Sequence, residues 1–327
     1  MTTVSGLLDQ TSRTFALGIR QLPGTLRDSV GVAYLLLRVA DYLEDNEVMQ
    51  PATKIRLLRQ WAAVLQDQED VRAFLAALVD MDDALPDVQA ARHADEIWNA
   101  FQALPEEDRG LLTTHVAASS LGMARWVERG PRFDTEADLD DYMFEVAGRV
   151  GHLLTDLFSL RSPSVRRRKP ELMELGREFG LGLQTVNVIR GLSSDPHRGW
   201  LFIPADFVPG ARSPGELVRV PPSDDAMVVL RRLADKAARH LDAAVRYVEA
   251  VPRRQWGIRV FCMLPLFFAV RTLALSRHNP DVFTGEVKLS RPEVRAIALR
   301  TRLLAPSNRW LRGYAARLAG PDGRSSA

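Results

Sequence analysis

The chain has 327 residues, of which 46% are hydrophobic and 26% charged, so it can bury a large core in one or two domains. Its 43 basic and 41 acidic residues give a formal net charge of +2, which excludes the strong overall positive field typical of nucleic-acid-binding proteins. The one cysteine, Cys262, excludes a disulfide framework and a cysteine-based metal site. Because it lies in the apolar run VFCMLPLFF, we predict that Cys262 is a buried, inert thiol.

The start of the chain, MTTVSGLLDQTSRTF, lacks the basic residues and apolar core of a secretory signal. The longest apolar run, from Val260 to Val270, is about half the length that a membrane-spanning helix needs. We therefore predict a cytoplasmic protein. It could still lie at the periphery of a membrane.

Helical periodicity dominates the chain. In RDSVGVAYLLLRVADYLED the apolar residues Val30, Ala33, Tyr34, Leu37 and Ala40 recur at spacings of three and four. Comparable patterns follow in TKIRLLRQWAAVLQ, VRAFLAALVDM, ADEIWNAFQAL, RGLLTTHVAASSLGMARWVERG, LDDYMFEVAGRVGHLLTDLFSL, ELMELGREFGLGLQTVNVIRGL, DAMVVLRRLADKAARHLDAAVRYVEAV and RPEVRAIALRTRLLA, separated by Pro and Gly. No shift in composition marks a boundary. We predict an all-α fold of ten or more helices in one domain, residues 1–319, with a disordered tail, residues 320–327.

Three carboxylates follow the apolar part of the first long helix. Asp41, Glu44 and Asp45 are spaced i, i+3 and i+4, which places them on one helix face. Like charges this close repel, and Mg²⁺ could offset the repulsion because it bridges protein carboxylates to substrate phosphates. A solvated, charged helix end explains the same pattern equally well, so this motif alone leaves both interpretations open.

A second oxygen-rich stripe follows in QTVNVIRGLSSDP. Gln184, Asn187, Gly191 and Asp195 are spaced by three, four and four, which predicts one face of a helix that Pro196 ends. The stripe could bind further Mg²⁺ across a cavity from the first motif, although Gly191 stands where another carboxylate would fit. Two such stripes in an all-α protein suit metal-assisted ionisation of a diphosphate, since the metals would take up the charge of the leaving group. The apolar interior of a helical bundle would shield the remaining cation from water.

Five collinear segments resemble the squalene and phytoene synthases, which join two prenyl diphosphates head to head. The segments are SRTFALGIRQLPGTLRDSVGVAYLLLRVADYLED, YMFEVAGRVGHLL, LGLQTVNVIRGLSSDPHRGWLFIP, FCMLPLFFAVRTLAL and VFTGEVKLSR. The resemblance extends from about Ser12 to Leu303, and the last two segments are more similar to the squalene synthase branch. It implies an isoprenoid synthase fold, a single helical bundle with a central cavity.

The resemblance implies a metal site and a catalytic tyrosine. Asp41 and Asp45 match the first Mg²⁺-binding motif and would act in catalysis, with Glu44 beside them. Tyr142 matches a tyrosine of the central cavity that would handle a proton or stabilise a cation, although by itself it could be an ordinary core residue. In the second motif, Mg²⁺ ligands are implied at Asn187 and Asp195.

Contacts with substrate and reductant are also implied. Small residues would open room for a prenyl chain, and basic or polar residues would contact diphosphate. By itself, Ser12 could be only a helix N-cap. The implied substrate-binding residues are Ser12, Arg13, Arg38, Val146, Ala147, Gly148, Gly151, Gln184, Asn187 and Arg198, and Lys288 would bind NADPH.

The sequence departs from the family pattern in the second motif. Gly191 and Ser194 replace carboxylates, so that only Asp195 of three remains. Trp200 stands where the squalene branch often has an Arg. The basic residue that follows Lys288 comes one place later than usual, which bears on NADPH binding.

Three functions remain open at this stage. The first is Mg²⁺-dependent condensation of two farnesyl diphosphates to presqualene diphosphate and squalene, with NADPH as a candidate reductant. The second is a diverged class I terpene synthase that ionises a single prenyl diphosphate, and the third is a non-catalytic prenyl-diphosphate-binding subunit. We expect a prenyl diphosphate as partner, no nucleic acid, and transient membrane contact for product release.

Overall fold

The computed structural model describes residues 4–11, 13–210, 214–217 and 222–320. These residues form α-helices with short π and 3-10 segments and contain no β-strand, which confirms the predicted all-α fold. The α-helices α1 to α17 are, in chain order, Val4–Thr11, Arg13–Ile19, Gly24–Asp45, Pro51–Leu65, Val71–Ala77, Val88–Arg92, Ala94–Gln102, Glu106–Arg129, Glu136–Met143, Arg149–Arg161, Pro163–Arg166, Lys169–Gly191, Pro214–Leu217, Asp224–Ala250, Trp256–Ser276, Arg291–Leu304 and Asn308–Ala319.

The chain divides into two compact units. Unit 1 comprises Met1–Gly130 and His152–Arg166, and unit 2 comprises Pro131–Gly151 and Arg167–Ala327. The single domain over residues 1–319 and its central cavity stay predictions. Residues 321–327 of the predicted tail lie outside the described residues.

Helix α3 is the central helix of unit 1, where it packs against α4, α6, α7 and α8. Leu35, Leu36 and Val39 are completely buried in this core. The indole N–H of Trp61 on α4 donates to the Leu36 carbonyl at 3.2 Å, which satisfies a polar group that the core would otherwise leave without a partner. This packing fixes the position of the C-terminal turn of α3, which carries the first acidic motif.

Helix α12 is the corresponding element of unit 2, where it packs along α14 and also against α15. Helix α12 also approaches residues 147–151 closely, which is possible because glycines at the contact have no side chain. A Cβ on Gly151 would lie 2.0 Å from the carbonyl oxygen of Gly176, and one on Gly180 would lie 2.3 Å from that of Ala147. The space at Gly148 is likewise filled, by the rings and methyl groups of Phe144 and Leu181. Both positions therefore serve close packing, and the contact of Gly148 and Gly151 with a prenyl chain stays a prediction.

A π-helix interrupts what the sequence predicts as one continuous helix. Thr135 caps α9 in a reciprocal capping box with Asp138. Residues Phe144–Gly148 then form a π-helix before α10 begins at Arg149. π-Helical turns are rare, and they occur often at functional sites. Here the turn begins two residues after Tyr142 and contains Val146 and Ala147.

Helix α15 is the one helix of the described residues that is long and apolar enough to cross a membrane. It has 21 residues, which is longer than its apolar run suggested, and 78% of its most apolar stretch is buried inside the structure. A core helix of a folded protein has the same properties. Cys262 lies on this helix and is buried, as predicted, and burial raises the pKa of its thiol.

Candidate active site

Arg38 organises the polar end of α3. Its guanidinium forms a salt bridge with Asp41, one helical turn on, and donates from its other terminal nitrogen to Asp87 Oδ2 at 3.0 Å. The guanidinium also lies 5.3 Å from the ring centroid of Tyr34. Asp87 precedes α6 at the N-cap position, yet its side chain makes no capping bond there. The carboxylate is directed to Arg38 instead.

The carboxylates around Arg38 have perturbed pKa values. Burial raises the pKa of Asp41 from 3.8 to about 7; Arg38 opposes this rise, and Asp45 and Asp87 add to it. Burial also raises the pKa of Asp87, with Asp45 adding to the effect. This end of α3 therefore holds more negative charge than Arg38 alone offsets.

The arrangement fits a magnesium ion that is shared with a phosphorylated ligand. Asp87 Oδ1 is buried without a hydrogen-bond partner. A bound cation would stabilise the charged form of Asp41, which burial disfavours first and repulsion from Asp45 and Asp87 disfavours further. Among the described residues, however, no group of three or more Asp, Glu, His or Cys side chains lies close enough together to bind a metal ion by itself. Mg²⁺ commonly takes only one or two protein carboxylates and completes its shell with water and phosphate oxygens.

Glu44 does not share the environment of the other two acidic residues of the first motif. Its side chain is buried, whereas Asp45 is exposed and Asp41 lies between these extremes at 17% side-chain exposure. Asp87 rather than Glu44 contributes to the charge around Asp41. Asp87 joins this group through tertiary contact, and a role of Glu44 in metal binding stays a prediction.

The second stripe does not lie on a single helix, which corrects the prediction for Asp195. Helix α12 ends at Gly191, and a turn closed by the Ser194 N–H and the Gly191 carbonyl at 2.9 Å follows. Asp195 then begins a 3-10 segment, Asp195–Arg198. The physical reason is that Pro196 disfavours helical backbone at the residue before it and has no N–H to continue the helix.

The Asp195 carboxylate nevertheless lies where the Cβ of an acidic residue at position 191 would lie. A Cβ on Gly191 would lie 2.0 Å from Asp195 Oδ2 and 2.6 Å from Asp195 Cγ. The carboxylate of Asp195 thus folds back over Gly191. The turn brings the acidic group to position 191 from four residues further along the chain.

The rest of the second motif belongs to a polar chain that includes Lys288. Asn187 donates to Gln184 Oε1 at 3.2 Å, and Arg190 donates to Asn187 Oδ1 at 3.5 Å. Arg190 also forms a salt bridge with Glu286, which Lys288 contacts at 2.7 Å. Partial burial raises the pKa of Glu286, but the bonds from Lys288 and Arg190 outweigh it and lower the pKa. The predicted NADPH-binding lysine and the second motif are therefore linked within unit 2.

Tyr142 belongs to an aromatic cluster. Its ring stacks on Phe202 at 5.1 Å and on Trp200 at 6.0 Å between centroids, and Phe133 meets it edge-on at 5.6 Å. Trp200 and Phe202 also stack on each other at 5.6 Å. Such ring faces carry partial negative charge and attract cations.

The family model for squalene/phytoene synthase matches residues 8–293 of this chain. The match spans both oxygen-rich motifs and the segment around Tyr142. The chain belongs to the squalene/phytoene synthase family.

Curated squalene synthases are similar to this chain over most of its length. Squalene synthase BSS of Botryococcus braunii is 32% identical over 297 residues, which cover 87% of this chain and 61% of that protein. The squalene synthase of Homo sapiens is 30% identical over 286 residues, which cover 86% of this chain and 65% of that protein. The chain thus spans less than two thirds of the length of these relatives.

A solved structure supports the fold. The complex of TcSQS with the ligand BPH1237 matches with a TM-score of 0.82 at 24% identity, covering 99% of this chain and 92% of that one. This likeness confirms the predicted isoprenoid synthase fold.

Some predicted positions of this synthase-family chain are only partly described. Ser12 lies outside the described residues, as do the side chains of Arg13 and Arg198. Their contact with diphosphate stays a prediction. Val146 is half-buried in the π-helix, and its predicted contact with a prenyl chain also remains a prediction.

Sequence reasoning missed three features of the site. Asp87 has no motif, and its bond to Arg38 joins residues 49 positions apart in the chain. Glu286 precedes Lys288 by two residues in the segment VFTGEVK, so the sequence shows the two charges close together. It does not show that Arg190 is a further partner of Glu286. Trp200 stands out in the sequence as a replaced arginine, and its alternation with Phe202 is the signal for two rings on one side of an extended segment.

Proposed function

We propose that this chain catalyses Mg²⁺-dependent head-to-head condensation of two farnesyl diphosphates to presqualene diphosphate and then squalene. The family match over residues 8–293 carries the proposal. Its first step breaks the C–O bond of one farnesyl diphosphate. The freed carbon joins a double bond of the second molecule, and a proton leaves.

The diphosphate would be bound at the end of α3. Arg38 offers a guanidinium for phosphate oxygens, and Asp41 and Asp45 would hold Mg²⁺, with the unpartnered Oδ1 of Asp87 nearby. Mg²⁺, when bound, takes up negative charge that develops on the leaving diphosphate. Asp87 keeps the Arg38 side chain in place through its 3.0 Å hydrogen bond. In the second motif, Asn187 and Asp195 would supply further oxygen ligands.

The aromatic cluster around Tyr142 would stabilise the carbocation that forms during the reaction. Tyr142, Trp200 and Phe202 form stacked ring faces that can stabilise positive charge without offering a nucleophile. We assign Tyr142 to proton handling or cation stabilisation on this basis. Lys288 is 69% exposed and tied to Glu286, so a cofactor phosphate would compete with that carboxylate. NADPH would contact Lys288 in the second, reductive half of the reaction.

A class I terpene synthase is the second candidate, and the contact between Gly191 and Asp195 favours it. With Asp195 folded over Gly191, the second motif has one carboxylate where the family usually has three. A reduced set of ligands could support one ionisation and not a second. The chain would then convert one prenyl diphosphate into a cyclised or hydroxylated product.

Product analysis distinguishes these functions. The protein is incubated with farnesyl diphosphate and Mg²⁺, with and without NADPH, and extracts are read by gas chromatography and mass spectrometry. The proposal predicts presqualene alcohol after dephosphorylation when NADPH is absent, and squalene when it is present. A C15 product from a single substrate would establish the second candidate. No product from farnesyl or geranylgeranyl diphosphate would indicate the non-catalytic binding subunit.

The location of the protein belongs to the same proposal. A C30 hydrocarbon is insoluble in water, so its release needs an apolar phase. We place the chain in the cytoplasm with transient contact to a membrane. Fractionation of cells after mild lysis tests this, because a membrane-peripheral protein is released by high salt whereas a spanning protein is not.

A further inference from the structure

Helix α16 of unit 2 has a second apolar face that the protein does not cover. Its inner face packs through Ile297, Thr301 and Ala305, all of which are buried. On the opposite side Pro292, Ala296, Leu299 and Leu303 are spaced by four, three and four, and all four are exposed. We call these four residues the outer stripe.

The outer stripe includes the most exposed large hydrophobic side chains of the described residues. Leu303 is 69% exposed and Leu299 is 62% exposed. Trp256 is also exposed, and its indole N–H donates to the Arg302 carbonyl at 2.9 Å, which holds the ring at the end of the same helix. Two neighbouring leucines and a tryptophan on one surface differ from single scattered apolar residues, which need no explanation.

Arginines flank the outer stripe. At 3.6 residues per turn, Arg295 and Arg302 lie along one edge of it and Arg300 along the other. Glu293, the single acidic residue of the helix, is bound by Arg271 and by the Ser290 hydroxyl. The helix surface therefore presents apolar side chains between positive charges.

This charge is concentrated in one part of the chain. Residues 288–320 contain eight basic residues and one acidic residue, whereas the whole chain has a net charge of only +2. The remainder of the chain is thus net negative. A surface that combines an apolar stripe with flanking arginines is complementary to anionic lipid, where apolar side chains enter the acyl boundary and arginines meet headgroup phosphates.

We propose that the outer face of α16 docks on an anionic lipid bilayer, with Leu299 and Leu303 inserted and Arg295, Arg300 and Arg302 at the headgroups. A second copy of the chain fits this surface less well, because a two-fold contact would bring identical arginine rows together. The inference rests on the proposed function for its purpose, since the surface would hold the enzyme where an apolar product can leave. The docking itself does not depend on turnover.

Vesicle binding without substrate tests the surface. Flotation with phosphatidylcholine vesicles is compared with vesicles that contain phosphatidylglycerol, at low and high salt. We expect preferential binding to the anionic vesicles that weakens with salt. The double variant Leu299→Glu/Leu303→Glu should bind at least about tenfold more weakly. The double variant Arg295→Gln/Arg302→Gln should bind about thirtyfold more weakly, because each of the two basic residues contributes roughly 1 kcal/mol near an anionic surface.

The matched control is Leu121→Glu/Val79→Glu, which charges two exposed apolar residues of unit 1 and should bind like the unchanged protein. If the glutamate variant of α16 fails to fold by circular dichroism, the arginine variant alone decides. The proposal would be overturned if the arginine variant and the leucine variant bound vesicles as strongly as the control variant does. So would no binding of the unchanged protein, or a change of oligomeric mass in the leucine variant with unchanged vesicle binding. Product analysis in detergent-free solution reports the reaction separately, so failure of docking and failure of the proposed reaction are distinguishable.

Discussion

Asp41 carries a charge that folding makes unfavourable. Its pKa of about 7 exceeds the ordinary 3.8, so between these values the folded protein holds a proton that the unfolded chain has lost. The free energy of unfolding therefore falls as pH rises from about 4 to about 7, by at most about 1.4 kcal/mol per pH unit from this group. Mg²⁺ binds the deprotonated carboxylate and should reverse the fall.

Thermal or denaturant unfolding without Mg²⁺ measures this effect. The unchanged protein is compared with Asp41→Asn at several pH values from 4 to 8. As pH rises from about 4 to about 7, the unchanged protein should lose stability relative to Asp41→Asn. A difference that does not vary with pH would contradict the raised pKa.

Gly191→Ala tests the position of Asp195. The new methyl group would lie where Asp195 Oδ2 now lies, so the carboxylate must move away from the end of α12. We expect the Mg²⁺ concentration for half-maximal activity to rise about tenfold, as for changes that displace groups around a metal. Ser194→Ala is the control, since it removes only a 3.4 Å bond to the Gly191 carbonyl. An unchanged Mg²⁺ requirement in Gly191→Ala would show that Asp195 does not act there.

At the scale of elements, α12 approaches its neighbours through glycine. Gly151→Ala would place a methyl group 2.0 Å from the carbonyl oxygen of Gly176, a backbone atom that cannot rotate away. We expect a loss of about 1–3 kcal/mol or more in unfolding free energy. Gly110→Ala on α8 meets no atom within 4 Å and should instead stabilise the protein by up to about 1 kcal/mol. Denaturant unfolding of the two variants checks this, and equal effects would contradict the packing role of Gly151.

Arg259 joins the ends of two helices in unit 2. This completely buried side chain donates to the carbonyls of Val248 and Val251 at 2.6 and 2.7 Å and to that of Ala305 at 2.7 Å. Arg259→Met would leave these carbonyls buried without donors at the C-terminal ends of α14 and α16.

The expected loss is about 3 kcal/mol or more, measured as a fall in Tm and in denaturant midpoint. Arg254→Met, a nearby exposed arginine, should change stability by less than about 0.5 kcal/mol. Similar Tm values for the two variants would contradict the capping role of Arg259.

At the scale of the whole molecule, apolar periodicity was enough to predict an all-α protein. The spacing of three and four along α3 or α14 has one common structural solution. The structure adds capping boxes at Thr135 and Ser290, which start α9 and α16. The π-helix at Phe144–Gly148 was not predictable in the same way, because a single π-helical turn is too short to show a period of its own in the apolar pattern.

The candidate site was predictable where it is local in sequence. Asp41 and Asp45 follow from helix spacing, whereas Asp87 reaches Arg38 only because α6 packs against α3. The helical spacing places Asp195 on the wrong element, since the end of α12 depends on the local effect of Pro196. Its role as a metal ligand stays a prediction. The second apolar face of α16 was present in the sequence, but only the structure shows which of its two faces is buried.

The central claim is that the end of α3 and Mg²⁺ ionise a prenyl diphosphate. Release of diphosphate from farnesyl diphosphate tests it most directly, in the unchanged protein, in Asp41→Asn and in Asp28→Asn, an exposed carboxylate of the same helix. We predict Mg²⁺-dependent release that Asp41→Asn abolishes and Asp28→Asn retains. Release that continues without Mg²⁺, or equally in Asp41→Asn, would contradict the account.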